Sequence, residues 1–259
     1  MYIKILGKKK IRDNKVIIFR IKNSVFKIPL TKGAAREISD EKERIKKAKN
    51  DNFFSKYLPE YRFFLFFQIS PYLMPLDNNA DFGFLIKQYF KKSFKGISKW
   101  KKVELGTLIN EDFLEFVSRY VTEYFDFLSG YLKKIVLPLS SAHGDFHSEN
   151  ILTDKDLLCF IDWSCYSEHS SRYFDLYNYY IFFIKDKGES WINVWQREFN
   201  SENNEVLGIG TKKEYLLAYG IWKAAEDIRV LRFRGKLDEF KIRKYINFIK
   251  ILKETNIEV

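Results

Sequence analysis

The stretch that decides the fold reads His143-Gly144-Asp145-Phe146-His147-Ser148-Glu149-Asn150-Ile151-Leu152, followed by Leu157-Leu158-Cys159-Phe160-Ile161-Asp162-Trp163. It is a dense polar cluster in an otherwise apolar context. The apolar runs 151–152 and 157–161 bracket a polar turn at 153–156, which predicts an antiparallel hairpin. On that reading a loop presents Asp145, a strand starts just after Asn150, and the return strand ends on Asp162. Asn150 and Asp162 then sit at neighbouring ends of one hairpin, where their oxygens can hold one hard cation. Mg²⁺ suits the pair, because it takes few carboxylate ligands and completes its shell with phosphate and water. Asp145, on the loop ahead of them, can accept a proton from an attacking hydroxyl.

Composition sets the frame around this stretch. With 259 residues, 46% hydrophobic and 18% aromatic, the chain can bury one sizeable core or two small ones, and disorder is excluded. Lys and Arg number 45 against 34 Asp and Glu, so the net charge of +11 favours acidic partners. The longest uncharged run, 63–76, carries Gln68, Ser70, Pro71 and Pro75, and it falls short of the roughly 20 apolar residues that span a bilayer. The first ten residues lack an apolar export segment, so a cytoplasmic protein is expected. Two cysteines, Cys159 and Cys165, form no disulfide framework and read as reduced thiols.

Upstream, β-rich runs at 2–6, 16–21 and 25–28 predict three antiparallel strands. A helix follows over 33–50, with an inward stripe of Ala34, Ile38, Glu41, Ile45 and Ala48 in which Glu41 is the one charge. Residues 63–69 and 72–76 read as two more strands, and the unit closes near Asp77. Beyond it the period becomes helical: a single core helix over 113–132, then helices from Tyr173 onward, the last marked by Ile242, Tyr245, Ile249 and Leu252. The expected architecture is α+β and bilobal. A small antiparallel β-sheet N-lobe with one helix (1–77) precedes a larger, mainly helical C-lobe (78–259), with a ligand cleft between them.

The H-G-D-x-H-x-x-N-I-L run with its following I-D-W resembles the aminoglycoside phosphotransferase and choline kinase family, small-molecule kinases of protein-kinase-like fold. The likeness is sharpest over 141–179. It implies a catalytic base at Asp145, metal-binding residues at Asn150 and Asp162, and a bracing Asp175 at the start of the next helix. It also implies an N-lobe lysine on the third strand to grip phosphates and a helix acid to hold it. Lys27, flanked by apolar residues in Val25-Phe26-Lys27-Ile28, meets the first demand, and Glu41 the second. Glu37 and Glu43 project away from the stripe. Two features depart from the pattern of protein kinases. The loop 7–14 is lysine-rich instead of G-x-G-x-x-G, so charge would replace backbone cradling of phosphates there. Asp162 is followed by Trp163-Ser164, and the short gap to Asp175 has no room for a protein-kinase activation segment, which favours a small acceptor over a peptide.

The function that follows is an ATP- and Mg²⁺-dependent transfer of phosphate to a hydroxyl of a sugar, glycan intermediate or amino alcohol. The alternative is a catalytically weak, kinase-like nucleotide-binding or interaction protein. The run from Lys87 to Lys102 holds seven lysines, no acids and interleaved Tyr89, Phe90, Phe94 and Trp100. It suggests an anionic membrane surface or phosphorylated glycolipid as partner, and a peripheral place at the inner membrane face; nucleic acid is disfavoured. His143 is expected to buttress the loop and His147 to do the same or to line the acceptor site. The clustering of His143, His147, His169, Cys159 and Cys165 lacks zinc-site spacings. Gly208-Ile209-Gly210-Thr211-Lys212 lacks the phosphate-loop spacing and reads as a loop ahead of a helix over 213–232.

Overall fold

Apolar, β-branched residues from Val16 onward form strand β1 (Val16–Ile21), which reverses through Lys22 and Asn23 into β2 (Ser24–Pro29). Thr31 then caps helix α1 (Lys32–Asn50), its hydroxyl accepting from the Ala34 backbone N–H at 3.2 Å. Next come β3 (Arg62–Phe64), β4 (Phe67–Pro71), β5 (Met74–Pro75), α2 (Ala80–Ser93), β6 (Lys102–Glu104), α3 (Glu111–Tyr120), α4 (Phe125–Lys134), β7 (Val136–Pro138) and β8 (Ser140–Ala142). The chain continues through β9 (Ile151–Asp154), β10 (Leu157–Phe160), β11 (Ser167–Ser170), α5 (Arg172–Ile184), α6 (Trp191–Phe199), β12 (Glu205–Val206), β13 (Ile209–Gly210), α7 (Lys213–Phe233) and α8 (Glu239–Glu254). The structure, a computed structural model, describes residues 16–64, 67–75, 80–154, 157–201 and 205–255. The strand expected at 2–6, the loop at 7–14 and the boundary at Asp77 lie outside the described residues.

The chain packs as two compact units: residues up to Ser93 with Ser141–Glu168, and Phe94–Ser140 with His169–Val259. In the first, an antiparallel sheet of order β1-β2-β4-β3 aligns Ile18, Lys27, Gln68 and Phe63 in one row across its strands. Ile18 and Phe63 pack against a core of Val16, Ala34 and Ile38, so this row faces α1. The five stripe residues Ala34, Ile38, Glu41, Ile45 and Ala48 are all buried, as the helical period requires. A second sheet, β10-β9-β5, carries the expected hairpin in register Ile151↔Phe160. Aromatic rings seal it: Phe160 stacks on Tyr57 at 4.9 Å and meets Phe146 edge-on at 4.8 Å, and Phe146 stacks on Tyr89 at 5.1 Å.

The second unit is built on α7, whose buried residues cover most of its circumference and which α3, α5 and α6 pack against. The Trp195 indole N–H donates to the Leu216 carbonyl at 2.8 Å, which draws α6 down onto α7 at Gly220.

Four expectations are corrected. Residues 63–69 are not one strand but the hairpin β3–β4, paired Phe64↔Phe67; their run of aromatic and apolar residues holds no Gly, Pro or Asn to mark a reversal. Beyond it, only Met74–Pro75 of 72–76 forms a strand. The single helix over 113–132 is two helices, α3 and α4. Val121, itself buried, leaves the helical region at φ −146°, ψ 45°, and a 3₁₀ turn at Thr122–Tyr124 leads into α4. Within 208–212, Ile209 and Gly210 pair with Val206 and Glu205 in the hairpin β12–β13, and only Thr211–Lys212 remain as a loop ahead of α7.

A methyl group on Gly220 would stand 2.6 Å from the Trp195 indole nitrogen. Gly220→Ala is therefore expected to cost about 1–3 kcal/mol in urea denaturation. Gly130→Ala, in α4 with nothing within 4 Å of the added methyl, is expected to be neutral or mildly stabilising.

Candidate active site

Lys27, in the middle of β2, points toward α1 because its strand neighbours in the row, Ile18 and Phe63, do so. Its Nζ lies 2.5 Å from Glu41 Oε2. Gln68, one strand further, donates from Nε2 to the other oxygen, Glu41 Oε1, at 3.4 Å. Burial pushes the Glu41 carboxyl above its ordinary range; the Lys27 ammonium pulls it back and the Asp162 carboxylate, close by, adds to the rise. Asp162 thus shares the electrostatic environment of the Lys27–Glu41 pair.

The loop from His143 to Asn150 is fixed from three sides. Gly144 has φ +81°, and a Cβ there would meet the Cys165 carbonyl oxygen at 2.3 Å, so only glycine lets the loop backbone lie against the segment after Asp162. His143 is fully buried, with Nδ1 accepting from the Asp145 backbone N–H at 3.4 Å and Nε2 lying 3.0 Å from the Ile161 carbonyl. A backbone N–H can only donate, so the imidazole proton sits on Nε2 and is given to Ile161. Asn150 donates from Nδ2 to the Asp145 backbone carbonyl at 2.9 Å and to Asp145 Oδ2 at 3.1 Å. His147 Nε2 lies 3.1 Å from that same nitrogen and 3.5 Å from Asp145 Oδ2.

Asp162 adopts the left-handed region, φ 61° and ψ 63°, which Asp tolerates better than most residues. The Ser164 hydroxyl donates to its Oδ1 at 3.0 Å. Trp163 is fully buried, donates its indole N–H to the Phe160 carbonyl at 2.8 Å, and packs against Phe54 and His143 at 5.5 and 4.7 Å. The C-terminal half of α1 is fastened to the same segment: Arg44 donates to the Tyr166 carbonyl at 3.2 Å, and the Tyr166 hydroxyl donates to Asp51 at 3.2 Å.

Asn150 turns its amide nitrogen to Asp145, so its carbonyl oxygen is directed elsewhere. One amide oxygen and one carboxylate make a hard, weakly charged donor set, which fits Mg²⁺ completed by phosphate and water. Among the described residues no group of three or more His, Cys, Asp or Glu side chains is placed to hold a metal ion.

All five residues singled out in the sequence, Lys27, Glu41, Asp145, Asn150 and Asp162, lie in the first compact unit. Asp175 is buried in the first turn of α5, in the second. Gln68 and the Trp163 anchor were not legible beforehand; the signal for Gln68 was one amide inside the apolar run 63–69. In the lysine-rich run, Tyr89, Phe90 and Phe94 are buried, while its lysines are exposed. No helix among the described residues is long and apolar enough to cross a membrane.

Burial lowers the His143 pKa from 6.5 to about 4. Between those values the unfolded chain binds a proton that the folded one refuses. Stability present above pH 6.5 is therefore lost as pH falls toward 4, by up to about 3 kcal/mol. Urea titrations between pH 7.5 and 4.5 should show this loss, and His143→Gln should flatten it.

No sequence-family model matches the chain, and no protein of curated function does. Solved structures do match. A putative fructosamine-3-kinase from Haemophilus somnus 129PT is similar with a TM-score of 0.54 at 12% identity, over 99% of this chain and 93% of that one. Choline kinase LicA from Streptococcus pneumoniae gives 0.52 at 16% identity, over 98% and 94%, and LicA has also been solved in complex with AMP. A choline/ethanolamine kinase family protein from Mesorhizobium loti gives 0.50 at 15%, over 98% and 88%. At such identities the shared property is the fold, and this chain has the protein-kinase-like fold of small-molecule kinases.

Proposed function

We propose that the protein is a phosphotransferase that moves the γ-phosphoryl group of ATP to a hydroxyl of a small molecule: a sugar, a glycan intermediate or an amino alcohol. One observation carries the reading. A single compact unit holds Asp145 hydrogen-bonded to Asn150, Asp162 in the electrostatic environment of Glu41, and Glu41 paired with Lys27. Hydroxyl phosphorylation needs a base, hard oxygen donors and a phosphate-binding cation, and these side chains are of those kinds. The shared fold with fructosamine and choline kinases, and the AMP complex of LicA, support it.

In this reading Asp145 accepts the acceptor's proton as the hydroxyl oxygen attacks, and Asn150 orients that carboxylate by donating to Oδ2. Lys27 places its ammonium against the phosphate oxygens, and Glu41 fixes where that ammonium lies. Mg²⁺, held by the Asn150 amide oxygen and the Asp162 carboxylate, would supply neutralisation of phosphate charge. Residues 1–77 serve the nucleotide and 78–259 carry the catalytic loop and acceptor site. No membrane partner is part of this proposal, because the aromatic residues Tyr89, Phe90 and Phe94 of the lysine-rich run are buried. The alternative of a nucleotide-binding protein without catalysis draws on the loop 7–14, which is not glycine-rich.

Turnover of ATP against a panel of sugars and amino alcohols tests the reading. The wild type is expected to form a phosphorylated product, to stop on addition of EDTA and to recover with Mg²⁺. Asp145→Asn is expected to lose about 10²-fold or more in kcat. Equal turnover by wild type and Asp145→Asn would overturn the assigned base, and nucleotide-dependent thermal stabilisation with no product across the panel would favour the alternative.

A further inference from the structure

Two buried polar atoms near the Lys27–Glu41 pair keep hydrogen-bonding capacity that nothing among the described residues takes up: Gln68 Oε1, which has no donor, and the Tyr61 hydroxyl, whose oxygen lies by the Trp163 indole N–H but whose proton has no acceptor. Gln68 is 4% exposed. Its amide cannot be turned the other way, because that would set its oxygen against the Glu41 carboxylate in place of the Nε2 donor now 3.4 Å away. The orphaned oxygen is therefore a consequence of the bond to Glu41.

Tyr61 belongs to the same surface. The pairing of β3 with β4 sets Phe63 opposite Gln68, and Tyr61, two residues before Phe63, stacks its ring on that of Phe63 at 6.3 Å. Its hydroxyl is buried, feels the charges of Glu41 and Asp162, and lies by the Trp163 indole N–H, whose proton is also given to the Phe160 carbonyl. The two deficits are complementary, since a phenol hydroxyl lacks an acceptor for its proton and a carboxamide oxygen lacks a donor. One water can answer both, and buried polar atoms left over in a native core are the places where internal waters sit.

We propose that Gln68 is a positioning residue for the Lys27–Glu41 pair, and that Gln68 and Tyr61 together hold one internal water that keeps the Gln68 amide turned toward Glu41. The inference rests on the reading of Lys27 as the phosphate-binding cation and deepens it. Glu41 has two oxygens: Oε2 takes Lys27, and Oε1 is steadied by Gln68. Without the Gln68 donor the Glu41 carboxylate is free to rotate, and the Lys27 ammonium loses its fixed position. Tyr61 acts one step further out, through the water and the amide, so its effect exists only while Gln68 is present. Neither residue touches the nucleotide in this account.

The test is a double-mutant cycle on MgATP affinity, read by calorimetry on the full chain, with Gln68→Met, Tyr61→Phe and the double variant. Both substitutions keep volume and remove a buried orphan, so thermal melting should confirm that each variant folds. Gln68→Met is expected to weaken MgATP binding about tenfold, the scale of one hydrogen bond to a charged group. Tyr61→Phe is expected to weaken it about threefold, and the double variant to be no weaker than Gln68→Met alone. Where turnover is measurable, Gln68→Met should raise KM for ATP more than it lowers kcat, whereas general destabilisation would leave KM unchanged. A high-resolution crystal structure should show one water within hydrogen-bonding distance of Tyr61 Oη and Gln68 Oε1. Multiplying effects in the cycle, or a dry site, would overturn the inference. Lys27→Ala separates the two levels. If it weakens MgATP binding while the cycle multiplies, only the positioning role fails; if it leaves binding unchanged, the reading of Lys27 fails and takes this inference with it.

Discussion

Burying Glu41 is the constraint around which the first unit is arranged. It sits on the inward stripe of α1 among Ala34, Ile38, Ile45 and Ala48, where an unpaired carboxylate would cost several kcal/mol. Lys27 relieves that cost only if β2 presents position 27 to the helix and α1 presents position 41 to the sheet. A one-residue slip of β2 would carry the ammonium to the opposite face, so the ion pair selects the strand register and the rotation of the helix together. Apolar contacts of Val16, Ala34, Ile38, Ile18 and Phe63 supply the adhesion, and the polar pair supplies the uniqueness.

The same helix ties that pair to the chemistry of the loop. Arg44 and Asp51 hold Tyr166, four residues after Asp162, while Trp163 plugs the core under the turn. On the other side, Gly144 lets the His143–Asn150 loop touch the Cys165 backbone, and His143 links Asp145 to Ile161 through its two ring nitrogens. Lys27, Asp162 and Asp145 are thus connected through short chains of packed and hydrogen-bonded groups, each holding a polar side chain that would not find its place alone. Asp162 in the left-handed region belongs to this economy, since local strain is sustained by the packing of its neighbour Trp163.

Much of this was legible in the residues because it depends on short-range pattern. The stripe of α1 follows from a 3.6-residue period, and the β9–β10 hairpin follows from two apolar runs around a polar turn. What could not be read depends on contacts between distant segments. The reversal inside 63–69 carries no turn residue, and its evidence is the pairing Phe64↔Phe67, which exists only in three dimensions. The break at Val121 carries no Gly or Pro, and periodicity alone continues one helix across a residue that leaves the helical dihedrals. Gln68 is one amide in an apolar run, and only the row Lys27–Gln68–Phe63 places it beside Glu41. In the lysine-rich run the aromatics interleave with charge in sequence yet separate from it in space, because a helix sends alternate faces to core and water.

The most direct test of the central claim, that Asn150 and Asp162 ligate a divalent ion shared with a nucleotide gripped by Lys27, is electron–nuclear double resonance on the protein loaded with Mn²⁺ and ATP. The account predicts ³¹P couplings to the nucleotide phosphates in the wild type, and their loss or collapse to the pattern of free Mn²⁺–ATP in Asp162→Ala. Identical couplings in the two proteins, or a wild type that leaves Mn²⁺–ATP in its free form, would contradict it.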